Sequence, residues 1–289
     1  MKENSKFIVE VKGLDKRYDS FHLNIPDLAI SKGEFLGIIG ENGAGKTTFI
    51  NLILDLVEKD SGVVKVFGSE DLDCEIKKKI ACVSEKCNYS GLLTIKEINK
   101  IMKNIYEENW DENSFLSNIK EHSIPPDKIL DKFSTGMKAK LCLFIALAHL
   151  PMLLILDEAT SNLDPIVRRD INTVLKSYIK KTGCAIIFSS HLVDELEGVC
   201  DRILLISNGK IKFDARLDEG KKNYCLLKLE DNTKIPSDFI GLVEKDNDKI
   251  CLIDYELVPS KTNIIKKNLS IEDIMYFLKN GACIKWKEY

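Results

Sequence analysis

The sequence predicts an α/β fold: a mainly parallel sheet, N-terminal antiparallel β strands, a helical subdomain and a small C-terminal α+β appendage. Three observations predict it. Strand-like apolar runs alternate with helix-like runs over most of the chain, the pattern of a parallel sheet covered by helices on both faces. A glycine-rich turn, Gly40-Glu-Asn-Gly-Ala-Gly-Lys46-Thr47-Thr48, sits between one such strand and one such helix. Four apolar residues from Leu153 to Leu156 end in two adjacent carboxylates, Asp157 and Glu158, as a strand buried on both faces does where it reaches the sheet edge.

Taken in order, the runs from Phe7 to Val11 and from Phe21 to Ile30 read as opening strands. Residues 34–39 form the strand before the turn, and 46–57 the helix after it. Asp60-Ser61-Gly62 turns the chain into a short strand over 63–67, and 80–83 is another. Residues 93–120 are helical and polar, with Met102, Ile105 and Tyr106 at helical spacing, and Pro125-Pro126 ends that region. The longest greasy stretch, 141–156, is broken by His149 and Pro151. It is read as the end of a helix over 135–149, a turn and a strand over 153–156, since a membrane span needs about 20 predominantly apolar residues in a row. A helix over 165–180, a strand over 185–189 and a helix over 193–199 follow. A hairpin then pairs 203–207 with 210–213 through Asn208-Gly209. Beyond Leu217 the character changes. Runs 225–229 and 249–255 are strand-like, and Ser270-Ile-Glu-Asp273 reads as a capping box for a helix over 271–280 that Gly281 ends. These shifts divide the chain into a domain over 1–218, with its helical subdomain at about 88–148, and an accessory domain over 219–289.

Composition narrows the classes. At 289 residues with net charge −3, the chain can bury a sizeable core and has no dense basic tract, so nucleic acid is not expected as a partner. Twelve lysines balance twelve acidic residues over 219–289, which suits a docking or regulatory appendage better than a nucleic-acid module. Nine scattered cysteines without a C-x-x-C pair read as reduced, mostly structural thiols of a cytosolic protein. The charged first nineteen residues have no apolar centre of a signal peptide.

The glycine-rich turn fits G-x-x-x-x-G-K-[ST], a phosphate-binding P-loop, so the sheet is read as a P-loop NTPase core. In such a loop the backbone N–H groups of residues 40–48 (Gly40, Glu41, Asn42, Gly43, Ala44, Gly45, Lys46, Thr47 and Thr48) form an anion nest at a helix N-terminus. Gly40, Gly43 and Gly45 let the backbone turn and approach closely. Lys46 reaches the β- and γ-phosphates, and Thr47 ligates Mg²⁺. Asp157 suits a Walker B carboxylate that holds Mg²⁺ through water. Glu158 is placed to act as general base on the attacking water. A strand ending in ordinary surface acids would carry the same letters as Asp157-Glu158; the upstream loop favours the catalytic reading.

Phe133-Ser134-Thr135-Gly136-Met137 resembles the Leu-Ser-Gly-Gly-Gln signature of ATP-binding-cassette (ABC) ATPases, matching at Ser134 and Gly136. Ser161-Asn-Leu-Asp164 is similar to that family's D-loop, and the motifs fall in the family's order over residues 7–217. The resemblance implies that Tyr18 stacks on adenine and that Ser134 and Gly136 meet the γ-phosphate bound by an opposite subunit. It implies that His191 helps hold the attacking water and that Asp164 bridges subunits. Each position also has a plainer reading: a half-buried strand tyrosine, a helix cap at Ser134, a structural histidine and a helix cap before Pro165. The family's Mg²⁺-contacting glutamine aligns with Glu85, which accepts hydrogen bonds but cannot donate them. Met137 and Ala159 also depart from the pattern without removing a phosphate or metal ligand.

The expectation is thus an Mg²⁺-dependent ATPase subunit of an ABC transporter, resembling bacterial exporter subunits for drugs, antimicrobial peptides or lipids. Its cofactors are ATP and Mg²⁺. The resemblance implies a homodimer, or a heterodimer with a paralogue, driving a separately encoded permease from the inner face of the cell membrane. The rivals are a soluble ABC ATPase of translation or chromosome maintenance and a non-hydrolysing ATP sensor. The interval from Lys46 to Asp157 has no room for a long coiled-coil insertion, a single P-loop differs from the usual paired cassettes of translation, and Glu158 with His191 disfavours the sensor.

Overall fold

The computed structural model describes residues 6–196 and 198–217, and beyond them 224–229, 241–245, 248–254, 257, 258, 263–267, 269, 273, 274 and 277. Strands β1 (Phe7–Tyr18) and β2 (Phe21–Ser31) pair antiparallel down to Tyr18 opposite Phe21. β1 runs past Val11 because Leu14 is again fully buried after two exposed residues, so the ribbon keeps a core face. β3 (Phe35–Ile39) is buried along its whole length, and helix α1 (Lys46–Ile53) follows it directly from the glycine-rich turn. α1 stops four residues short of Val57. Asp55 takes a left-handed backbone (φ 54°) and the Leu56 N–H closes on the Asn51 carbonyl, ending the helix in a tight turn.

β4 (Ser61–Val66), a short helix α2 (Cys74–Lys77) and β5 (Ile80–Ser84) come next. The polar region read as one helical stretch is two helices, α3 (Ile95–Tyr106) and α4 (Glu112–Glu121), with a 3-10 turn at Glu107–Asn109 between them. Glu107 at φ 50° breaks the run. α3 opens on a reciprocal capping box between Thr94 and Glu97, two orphan donors satisfied at once. Then come α5 (Thr135–Ala148), β6 (Leu153–Asp157), α6 (Pro165–Thr182), β7 (Ala185–Ser190) and α7 (Val193–Leu196). The hairpin β8 (Arg202–Ser207) and β9 (Lys210–Arg216) turns through Asn208 and Gly209, both at positive φ, as the right-handed twist of paired strands requires.

Among the described residues, β1–β9 form one nine-stranded sheet in the order β4-β1-β2-β9-β8-β3-β7-β6-β5. The β3, β7, β6 and β5 pairings are parallel. Their continuous apolar runs sit in the centre, where each fully buried Ile, Leu or Phe contributes about 1.5–3 kcal/mol. Phe35 of β3 stacks on Phe188 of β7 at 6.2 Å. The register brings Ile39 beside Ser190 and Asp157 beside Ser189. Three strand C-terminal ends therefore converge on one edge, the usual ligand edge of open parallel sheets.

By packing, the chain divides into two units, residues 1–200 with 206–211 and residues 201–205 with 212–289. In the second, β10 (Tyr224–Leu229), β11 (Gly241–Lys245), β12 (Asp248–Asp254) and β13 (Asn263–Lys267) form an antiparallel sheet in the order β11-β12-β10-β13. Cys225, Leu227, Leu229, Cys251 and Ile253 make its core. Asp273, Ile274 and Phe277 are helical, whereas Ser270 and Gly281, the expected ends of that helix, lie outside the described residues. Eight cysteines are free thiols; Cys283 lies outside the described residues.

Candidate functional site

The turn between β3 and α1 is shaped by close approaches. Gly45 sits at φ 111°, a conformation that strains any L side chain, and a Cβ there would meet the Phe21 ring at 2.7 Å. A Cβ on Gly40 would lie 2.4 Å from the Ile206 carbonyl oxygen. Gly40 is thus also needed for backbone packing, where the sequence suggested a tight turn and close approach to a ligand. Ala44 is buried, its carbonyl accepting from the Gly209 N–H, while Glu41, Asn42 and Gly43 stand exposed on the outer rim. α1 begins without any side-chain cap, so its first N–H groups point into the turn available to an anion.

Lys46 is 4% exposed, with Nζ donating to the carbonyl oxygens of Gly40 (2.7 Å) and Glu41 (3.1 Å). It also lies 3.0 Å from Glu158 Oε1. Thr47 Oγ1 donates to Asp157 Oδ2 at 3.0 Å, and Ser189 Oγ donates to Asp157 Oδ1 at 2.6 Å. Glu158 adopts φ 55°, a left-handed backbone rare for a glutamate. The strain is held by its N–H bonding to Ser189, and it aims the carboxylate back over the turn. His191 Nδ1 meets Glu158 Oε2 at 2.7 Å, and Ser161 Oγ donates to the same oxygen at 2.8 Å. Partial burial pushes the Glu158 carboxyl up, but hydrogen bonds from His191, Lys46 and Ser161 outweigh it, so the group titrates below an ordinary glutamate.

Lys46, Thr47, Thr48, Asn42, Gly43, Gly45, Glu85, Glu158 and His191 all face one open cavity of about 770 Å³. Ser20, Phe21, Ser161 and Asn162 complete its wall, residues that sequence reasoning gave no ligand role. Asn162 Nδ2 donates to Glu85 Oε1 and so fixes that carboxylate. Ser161 and Asn162 fall inside the Ser161–Asp164 motif, which was the available signal; Phe21 and Ser189 carry none, being ordinary strand residues in the sequence. Tyr18 is not on the cavity wall. It stands 47% exposed, its ring 6.5 Å from that of Phe21 and beneath the Lys16 ammonium.

Ser134 and Gly136 also lie off this cavity. Ser134 Oγ caps α5 by accepting from the Met137 N–H at 3.2 Å. A Cβ on Gly136 would press on Val167 of α6 at 3.0 Å. Asp164 caps α6, accepting from the N–H groups of Ile166 and Val167 with Pro165 in the first turn. Behind His191 the sequence gave no hint of Glu195, which is fully buried. It accepts from Ser190 Oγ (2.6 Å) and Thr160 Oγ1 (3.1 Å) and faces Arg168 Nη2 at 3.2 Å. This network props the segment that carries His191.

The donor set fits Mg²⁺. Thr47 and Asp157 offer adjacent hard oxygens, with Glu85 on the same cavity. Among the described residues no three His, Cys, Asp or Glu side chains gather closely enough to hold a metal by themselves. Phosphate oxygens and waters would complete the shell, the common arrangement for this ion.

Comparison with known proteins bears on this geometry. The family described as ABC transporter matches residues 23–161, which take in the glycine-rich turn and Asp157-Glu158. The ABC transporter ATP-binding protein YdbJ of Bacillus subtilis is 35% identical over 73% of this chain and 70% of its own length. The bacitracin transport ATP-binding protein BcrA of Bacillus licheniformis is 33% identical over 86% of this chain and 82% of its own. A solved structure of an ATP-binding subunit of an ABC transporter is similar with a TM-score of 0.65 at 27% identity, covering 73% of this chain and 90% of that one.

Proposed function

The chain belongs to the ABC transporter family, and from that premise we propose that it hydrolyses ATP to drive an exporter whose membrane-spanning part is another chain. No helix of the described residues is long and apolar enough to cross a membrane, so the work would be done from the inner membrane face by docking to a permease. Similarity to the bacitracin transport protein supports a drug or antimicrobial peptide as cargo, with lipid the third class. We take residues 1–218 as the cassette and 219–289 as its accessory domain.

One observation supports hydrolysis above the rest: Lys46, Glu158, His191 and Ser161 are joined through a single carboxylate on the wall of the cavity. The uncapped start of α1 and Lys46 would take the triphosphate, and Tyr18 would offer its exposed face to adenine. Thr47 and Asp157 would hold Mg²⁺, with Glu85 facing it; that ion would neutralise phosphate charge. Glu158 would accept a proton from water as the water oxygen bonds to the γ-phosphorus and the bond to the ADP oxygen breaks. His191 would keep Glu158 and the water aligned. When Lys46 turns to phosphate, Glu158 loses one of the donors that hold its carboxyl down, and its basicity rises where it is needed.

Ser134 and Gly136 would complete the pocket of a second protomer, identical or paralogous, because their helix end has N–H groups to offer and lies off this chain's own cavity. Steady-state turnover of purified protein with Mg²⁺ and ATP, in wild type and Glu158→Gln, tests the reading. Turnover that depends on Glu158 is expected; equal rates in both proteins would overturn it.

A further inference from the structure

Two carboxylates bridge the same two loops. On the cavity side, Glu158 Oε2 meets His191 Nδ1 at 2.7 Å and accepts from the Ser161 hydroxyl at 2.8 Å. On the buried side, Glu195 Oε2 accepts from the hydroxyls of Ser190 at 2.6 Å and Thr160 at 3.1 Å. Ser190 directly precedes His191, and Thr160 directly precedes Ser161. Each loop therefore presents two consecutive side chains, one to each carboxylate, and both pairs converge on a single oxygen.

The buried bridge is not explained by packing. Thr160, Ser190 and Glu195 are fully buried, and an apolar side chain of similar volume often stabilises a core at least as well as a buried ion pair. What a carboxylate adds is direction, because hydrogen bonds to a charged acceptor are strong and geometrically exacting. Arg168 on α6 supplies the opposite charge. Its Nη2 lies 3.2 Å from Glu195 Oε1 and donates to the Leu163 carbonyl at 3.2 Å. The turn that holds Ser161 is thus gripped on both sides, through Thr160 and through Leu163. The Leu192 N–H donates to Ser190 Oγ at 2.9 Å, so that hydroxyl is fixed from the far side of His191 as well.

We propose that Glu195 is a positioning residue for hydrolysis: with Arg168 as its counter-charge, it sets the separation of the Thr160–Ser161 and Ser190–His191 pairs, so that Ser161 and His191 reach one oxygen of Glu158 together. Glu195 is not on the cavity wall and acts only through these neighbours. Without the Thr160 arm the two loops are no longer held in register, and His191 shifts although the change is remote from it in sequence. Misplacement of this kind costs about 10–10²-fold in turnover. ATP affinity, assigned above to the α1 turn and Tyr18, is unaffected. The effect on rate rests on the ATPase reading; the placing of His191 does not.

The experiment uses the full chain. It measures kcat and KM for ATP, thermal unfolding, and the imidazole NMR resonances of His191 in histidine-labelled protein without nucleotide, identified by their loss in His191→Gln. Thr160→Val and Ser190→Ala should each lower kcat by about 10–10²-fold with KM unchanged, and shift the His191 resonances. Thr160→Ser, which keeps the hydroxyl, should restore both. Glu195→Gln should behave like Thr160→Val, since its amide N–H groups must face either the two hydroxyls or Arg168. The double variant T160V/S190A should be about as slow as the slower single one, because both arms end on one oxygen. His191 resonances unmoved in Thr160→Val and Glu195→Gln would overturn the proposal, as would a loss of kcat that only follows a lowered unfolding temperature. Shifted resonances with wild-type kcat would overturn the role in hydrolysis. Multiplying losses in the double variant would overturn the shared bridge. Wild-type protein without turnover would refute the function above and leave the His191 resonances to decide whether Glu195 places that side chain.

Discussion

Two helix N-termini in this molecule are built in opposite ways. α1 opens on Gly45 with no side-chain cap, and the side chains around it interlock: Lys46 with Glu158, Thr47 with Asp157, His191 with Glu158. α5 opens on Ser134, whose own hydroxyl caps it, and Gly136 is packed against Val167. The first end lines a cavity and leaves its N–H groups to a ligand; the second is locally satisfied and lies off that cavity. A helix end that needs an anion and one that can merely share its donors are different objects. On our proposal they become halves of one pocket only when two protomers meet.

The largest expected effect sharpens the α1 side. Glu158→Gln should slow turnover by about 10²–10⁴-fold, the range for a lost general base, while calorimetry still finds ATP bound. Unchanged turnover there would remove Glu158 from its role and leave the α1 end a binding site only. Lys46→Ala should weaken ATP binding by about 10–10²-fold, since each charged hydrogen bond is worth about 1.5–3 kcal/mol. Near-normal affinity by calorimetry would break the contrast between the two ends.

Tyr18→Ala should cost about 1–3 kcal/mol of ATP affinity through lost stacking. If affinity is unmoved, the base lies elsewhere on the wall, with Phe21 the neighbouring aromatic. Ser134→Ala should cost about 1 kcal/mol of stability as a lost cap, read by thermal or denaturant unfolding. A fall in turnover at protein concentrations where the fold is intact would give Ser134 its second role; stability loss alone would leave it a cap.

The sequence carried most of the α1 end and little of what surrounds it. Gly40 to Thr48, Asp157 and Glu158 were legible because the chemistry needs those residue types at fixed spacing beside a strand. The reason for Gly40 was not legible, since its crowding comes from Ile206, remote in sequence. Glu195 was invisible for a similar reason: its partners Ser190, Thr160 and Arg168 meet only after β7 and α6 pack. The helical character of 93–120 was legible, but not the break at Glu107, whose left-handed backbone the letters do not announce.

Mixing two disabled proteins tests the central claim most directly. Lys46→Ala spoils the α1 end and Ser134→Arg the α5 end, so each alone should lack turnover. In a mixed pair, one pocket combines the intact α1 end of one protomer with the intact α5 end of the other, and ATP turnover should reappear on mixing. A mixture as inactive as its separate components, at concentrations where mixed pairs are seen to form, would contradict the account.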